Sequence, residues 1–179
     1  MKLVWTLSLL AVLPASDFGQ SGPIELTADK LVSDAAQVQG VGHARARIGP
    51  LVLQADEATW RRETGELEMR GHVHVTLPAR EDHTVVRYQA AVLLTDQPIG
   101  LTADQAAVRN GRLEASGNIV IVPVDPELPK VQLRGDELSM KLETADATLR
   151  GRVRASGIPE PQNDPLRRAY RAFPPDIIR

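Results

Sequence analysis

Three histidines and four aspartates are the residues of this chain whose types and spacing invite chemistry. His72 and His74 stand two apart, which on an extended strand puts both imidazoles on one face, and His43 follows Gly42 as His72 follows Gly71. Imidazoles converging from neighbouring strands have the donor set for zinc. Asp29, Asp56, Asp104 and Asp136 offer carboxylates of the kind used in general acid–base work. Periodicity argues against both readings. Each Asp holds the same place in a repeated segment, the mark of a structural part rather than a catalytic pair. The alternation around His72 and His74 turns them to a solvated face, and no metal is assigned to them. The chain carries no Gly-x-Ser-x-Gly elbow, His-Glu-x-x-His pair or phosphate loop. It has no cysteine, so thiolate nucleophiles, thiolate metal sites, disulfides and a Cys-borne lipid anchor are all excluded. The expectation is a protein that is not an enzyme and needs no cofactor. A net charge of −2 also lacks the basic excess that a nucleic-acid partner demands.

The elements that carry these residues follow from self-comparison. Leu26-Thr27-Ala28-Asp29, Leu53-Gln54-Ala55-Asp56, Leu101-Thr102-Ala103-Asp104 and Leu133-Arg134-Gly135-Asp136 align on the Asp. Each is followed by a block centred on glycine: Gly42, Gly71, Gly117 and Gly151, at separations of 13, 15, 13 and 15 residues. Around the glycines, apolar residues alternate with polar ones. Leu67, Met69, Val73 and Val75 interleave with Glu68, Arg70, His72 and His74, while Leu113, Ala115, Ile119 and Ile121 do the same in the next copy. Period two with one wet face is a half-buried antiparallel strand.

At each Asp the apolar phase flips. Leu53 and Ala55 precede Asp56 at odd offsets, and Ala58 and Trp60 follow it at even ones. A strand that kept its path would turn one set of side chains to the wrong face. The chain therefore bulges or bends at each Asp, whose short side chain bonds nearby backbone N–H groups. Turns are expected at Glu63-Thr64-Gly65, Asn110-Gly111, Asp125-Pro126 and Glu143-Thr144-Ala145, with Asn110-Gly111 the strongest hairpin signal. Val86 to Leu93 reads as a fifth, degenerate Asp block with Gln89 in the Asp position, after a polar loop from Pro78 to Thr84.

The two ends differ from the middle. Lys2, the uncharged apolar run Leu3 to Leu13, and Ala15 resemble a secretory signal over residues 1–20. The run is shorter than the ~20 residues that cross a bilayer as a helix, so export to the periplasm with cleavage is expected. Residues 158–179 form a Pro-rich tail made basic by Arg167, Arg168 and Arg171. Between them, residues 21–157 make one domain. It is 42% hydrophobic over the whole chain but only 3% aromatic, so its core must be built from aliphatic side chains.

The repeated L-x-A-D-x-A segment, a turn, then L-x-A-x-G-x-V resembles the OstA/LptA-like family of lipopolysaccharide-transport domains. Leu53 to Trp60 with Glu63 to Leu67, and Leu101 to Ala106, carry the likeness best, over roughly residues 24–156. The Asn usual in the family after the Gly is present here only as Asn118; His43, His72 and Arg152 replace it. The resemblance implies an all-β, repeat-built antiparallel β-jellyroll, with a V-shaped groove between two sheet faces. It implies a lipopolysaccharide or similar amphipathic lipid ligand, with acyl chains against the inward Leu53, Trp60, Leu67, Met69, Val73, Leu101, Val108, Ile119, Ile121, Leu133 and Met140. It also implies partners: LptC-type and LptD-type jellyrolls, joined through edge strands. Arg45 and Arg47, and Arg150, Arg152 and Arg154, alternate as a wet sheet face does, with contacts to lipid phosphates at a groove mouth as the functional alternative. The competing expectation is an adaptor module that pairs edge to edge and binds no lipid.

Overall fold

The computed structural model describes residues 24–80, 84–89, 91–95, 97–124 and 131–157. The expected signal (1–20), the tail (158–179) and the Asp125-Pro126 turn lie outside the described residues. Among those described there are twelve strands and no helix. They are β1 (Ile24–Thr27), β2 (Lys30–Ser33), β3 (Gln37–Ile48), β4 (Leu51–Arg61), β5 (Leu67–Leu77), β6 (Thr84–Tyr88), β7 (Ala91–Thr95), β8 (Ile99–Arg109), β9 (Arg112–Pro123), β10 (Gln132–Lys141), β11 (Asp146–Arg150) and β12 (Arg154–Ser156). All belong to one sheet in the order β1-β3-β4-β5-β8-β9-β10-β11-β6-β7, with β2 also on β3 and β12 also on β10. Every pairing is antiparallel except β11 with β6.

The phase flip predicted at each Asp is a register jump in the ladder. It falls between Val41 and Ala44, Gln54 and Glu57, Arg70 and Val73, Thr102 and Gln105, and Gly135 and Glu137. These jumps line up across neighbouring strands, so they form one crease that divides the sheet into two halves. The first half holds β1, residues 44–48, 51–55, 73–77, 99–103, 119–123 and 132–135 of the long strands, and β12. The second holds β2, residues 37–41, 57–61, 67–70, 105–109, 112–116 and 137–141, then β11, β6 and β7. Their apolar faces meet, and one continuous cluster of buried residues runs through both.

The crease has a simple chemistry. Gly42, Gly71 and Gly117 have φ of 77°, 74° and 77°, and His43, His72 and Asn118 after them have φ of 45°, 45° and 47°. Two successive left-handed residues insert a bulge and swing the strand. Glycine enters that region without a Cβ penalty, and Asn and His are among the side chains most often found there. The opposing carboxylate presses close: a Cβ on Gly42, Gly71, Gly117 or Gly151 would collide with Asp29, Asp56, Asp104 or Asp136 respectively. The fourth copy differs. Gly151 has φ of 92°, but Arg152 is not left-handed. At Asn110-Gly111 both residues have positive φ (49° and 69°) between the paired Arg109 and Arg112, the two-residue hairpin its sequence predicts.

One segment departs from its expected form. Val86 to Leu93 is not a fifth creased strand. β6 and β7 are an antiparallel hairpin with Tyr88 opposite Ala91 and Gln89 at φ 48°. Leu77 and Ile99 face each other across the β5–β8 ladder, so residues 78–98 are an excursion between two paired strand ends of the first half. Yet β6 is bonded to β11 in the second half. From Thr95 to Ile99 there are four residue steps, which reach no more than about 14 Å. The hairpin therefore straddles the gap opposite the crease, hydrogen-bonded to one half and tethered to the other. Arg80 ties the outgoing arm to the second half by donating 2.9 Å to the Glu143 carbonyl.

Candidate functional site

The interior between the halves contains every inward residue singled out from the sequence. Leu53, Leu67, Met69, Val73, Leu101, Val108, Ile119, Ile121, Leu133 and Met140 are all buried members of the single core cluster. Trp60 is partly buried against it. Each such aliphatic side chain, withdrawn from water, contributes on the order of 1.5–3 kcal/mol. The structure brings these residues together, and it brings more: Ala44, Ala46, Val75, Leu113, Leu138 and Leu149 are as deeply buried, with at most 5% exposed. The same alternation that marks the first set marks these, and the alanines keep the halves close. The interior is filled by its own side chains. Val86 from the β6–β7 hairpin is fully buried in it.

Inward residues are only partly buried at both ends of the sheet: Ile24, Leu26, Ala28 and Trp60 towards the β1–β2 edge, and Tyr88, Leu93, Leu142 and Val153 towards the β6–β7 and β12 end. The Arg62 guanidinium lies 5.5 Å from the Trp60 ring centroid, a cation–π contact, and donates 2.8 Å to Ser33 Oγ. The indole Nε1 of Trp60 is buried and has no hydrogen-bond partner among the described residues.

On the outer side of the crease the expected solvated histidines and repeat aspartates form a zipper. His43 Nδ1 donates to Asp29 Oδ2 at 2.7 Å, His72 Nδ1 to Asp56 Oδ2 at 2.7 Å, and Asn118 Nδ2 to Asp104 Oδ2 at 2.9 Å. Arg152 reaches Asp136 with its backbone N–H at 2.9 Å and its guanidinium at 3.2 Å. The hydrogen bond to Asp29 raises the His43 pKa above its usual value, and the bond to Asp56 does the same for His72. The Arg152 hydrogen bonds hold the Asp136 carboxyl below the usual range. Each Asp is thus held by one neighbour across one strand gap, an arrangement that fastens the crease. His74 is exposed in the first half.

A cavity of about 740 Å³ opens on the outer face of the second half. Its walls include Arg70, Arg87, Gln105, Arg112, Glu137 and Lys141. Charges of both signs line it, so it suits water and ions rather than an acyl chain.

A single sheet, antiparallel but for one pairing, folded along a glycine–aspartate crease over an aliphatic interior defines the class: an LptA-like β-jellyroll fold. Among solved structures, the chain is similar to LptH, described as the LptA homologous periplasmic component of the conserved lipopolysaccharide transport device from Pseudomonas aeruginosa. The match has a TM-score of 0.57 at 12% identity and covers 79% of this chain and 97% of that one. No protein-family model matches the chain, and no curated protein does.

Proposed function

We propose that this chain is an exported, periplasmic carrier domain of lipopolysaccharide transport, not an enzyme, and that it holds lipid acyl chains between the two halves of its sheet. The observation that carries the reading is the interior: one unbroken aliphatic surface from β1 to β11, in a fold shared with LptH. The inward residues named from the sequence are its acyl-facing surface. Burying acyl methylenes is favourable by roughly 0.8 kcal/mol each, so a few chains replace the packing lost when the halves part. The long strands run through the crease, so parting is a rotation about it that also carries the β6–β7 hairpin aside. The partly exposed residues at the β1–β2 edge mark where a chain first enters. Residues 1–20 act as the cleaved export signal, 21–157 as the carrier domain and 158–179 as an appended tail.

A photocrosslinker replacing Leu101, which faces inward, tests the proposal, with Ala107 on the outer face of the second half as the control. Lipopolysaccharide adducts at Leu101 and none at Ala107 are expected. Adducts at neither, or at both alike, defeat the proposal.

A second reading has its own support. The interior is filled, and the β1, β2 and β7 edges carry no further strand among the described residues. A filled sandwich with open edges suits an adaptor that adds strands to LptC-type and LptD-type jellyrolls without binding lipid. Loss of partner pairing on Leu26→Pro in β1, in a protein that never takes up lipopolysaccharide, selects this reading.

A further inference from the structure

The two outer faces of the folded sheet differ in how many carboxylates accompany their arginines. On the second half, Arg61 reaches Glu66 and Glu68, Arg70 reaches Glu68, Arg87 reaches Asp146, and Arg109 reaches Glu114 and Glu66, while Arg112 and Arg150 make no ion pair among the described residues but share a cavity wall with Glu68, Glu114, Glu137 and Asp146. On the first half, Arg45, Arg47, Arg134 and Arg154 are exposed and none makes an ion pair among the described residues. Among the described residues, the one carboxylate on that face is Glu25, opposite Arg47 in the register. Among the described residues, four arginines and one glutamate give the face +3. The crease aspartates nearest to it are each already bonded by His43, His72, Asn118 or Arg152.

The placement of the cations narrows the ligand. Arg45 and Arg47 stand on β3, Arg134 on β10 and Arg154 beside it on β12. Five strand spacings separate β3 from β10 in the sheet order, which is about 24 Å. No single small anion spans that. Between the two arginine pairs the outward positions hold no carboxylate and are small, apolar or polar: Val52, Gln54, His74, Thr76, Gly100, Thr102, Val120 and Val122. Val124 extends this strip and is 50% exposed. A broad face with unpaired guanidinium groups at both sides and valines between matches a plane of mobile anions. Guanidinium binds phosphate through paired N–H donors, and phosphates in a bilayer surface diffuse laterally to meet it. The outer face of the second half carries charges of both signs, so the first half's face is the one that an anionic membrane attracts.

We propose that the outer face of the first half, centred on Arg45, Arg47, Arg134 and Arg154, is a peripheral docking surface for an anionic phospholipid bilayer. It is distinct from the interior and works without it. Docking lays the first half flat on the bilayer and leaves the second half facing water.

Flotation with lipid vesicles tests this. Residues 24–157 contain every described strand and the whole core cluster, so this segment, with its β spectrum checked by circular dichroism, is the sample; the apolar run at 3–13 and the basic tail then cannot contribute. The vesicles are phosphatidylglycerol with phosphatidylcholine in equal parts, or phosphatidylcholine alone, at 50 mM NaCl. At least tenfold more protein is expected to float with the anionic vesicles, and most of that binding is lost at 300 mM NaCl, where surface charges are screened. The pairs Arg45→Gln with Arg47→Gln, and Arg134→Gln with Arg154→Gln, each reduce flotation several-fold, while Arg70→Gln with Arg112→Gln on the opposite face leaves it unchanged. Equal flotation with both vesicle types overturns the proposal, as does equal loss from either face. Wild-type protein that ignores anionic vesicles but is retained by an acidic protein partner through these same arginines also overturns it.

Discussion

Oδ2 of Asp56 accepts a 2.7 Å hydrogen bond from Nδ1 of His72 on the neighbouring strand, directly over Gly71. That carboxylate fills the space in which a side chain on Gly71 would begin. The pair therefore couples two demands, a left-handed backbone and an absent Cβ, at one point of the crease.

Gly71→Ala tests that coupling against a matched control. Gly65 also has positive φ (68°), but nothing lies within 4 Å of a Cβ built there. Gly65→Ala costs only the backbone term, on the order of 1 kcal/mol. Gly71→Ala adds the collision with Asp56 and is expected to cost about 2 kcal/mol more. Urea unfolding monitored by circular dichroism measures both, and equal costs would show that the close approach contributes nothing.

The histidine zipper makes stability depend on pH. The folded pKa of His43 and of His72 is raised above 6.5. A raised folded pKa stabilises the native state at pH below the unfolded value, and the gain is lost as pH rises through the folded value. The melting temperature should therefore fall as the pH is taken upward from 6.5. In His43→Asn with His72→Asn that fall should largely vanish, because Asn keeps the left-handed backbone and a neutral donor, as Asn118 does. A double variant with the wild-type pH profile excludes the zipper as its source.

At the acid end the sign reverses. The Asp136 carboxyl is held below 3.8 by Arg152. A depressed folded pKa contributes stability above the unfolded value that disappears as pH falls through the folded one. Asp136→Asn should lower the melting temperature at pH 7 and have little effect once the pH is well below 3.8. A constant deficit at all pH values would mean that geometry, not charge, matters at this position.

The β6–β7 excursion predicts its own removal. Leu77 and Ile99 are already paired, so replacing residues 78–98 by Asn-Gly joins β5 to β8 through a two-residue turn. The creased sheet should survive, with an unchanged β spectrum. The interior, having lost Val86, should bind the dye ANS several-fold more strongly and take up lipopolysaccharide faster. Unchanged dye binding would show that the hairpin does not cover the interior.

The interior residues predict a graded response. Ile119→Ala leaves a cavity in a site that is 1% exposed and should cost about 2–4 kcal/mol. His43→Ala, at a fully solvated side chain, should cost much less in the same urea titration. Comparable losses would contradict the burial pattern.

Much of this molecule was legible in its residues, because strands have a period of two and a phase error is visible. The alternation about Gly71 and Gly117 marks the strands, and the flip at each Asp marks a bulge whatever the rest of the chain does. The left-handed backbone at Gly42, Gly71 and Gly117 is likewise local, since only glycine fits a positive φ beneath a carboxylate. The segment from Val86 to Leu93 shows the limit of that reasoning. A two-residue bulge and a two-residue turn shift the apolar phase alike, so Gln89 in a hairpin imitates an Asp in a crease. Only the pairing of β6 with β7 separates them.

Three features were decided by tertiary structure alone. The partners of the halves, the hairpin that crosses between them and the filling of the interior all depend on contacts between residues far apart in sequence. Alternation states which side of a strand is apolar, but not how far away the opposing apolar face lies. The contrast between the mixed charges of one outer face and the arginines of the other, which have few carboxylates beside them, is of the same kind. Charge along a strand is written in the sequence, whereas its neutralisation depends on which carboxylate the next strand brings alongside.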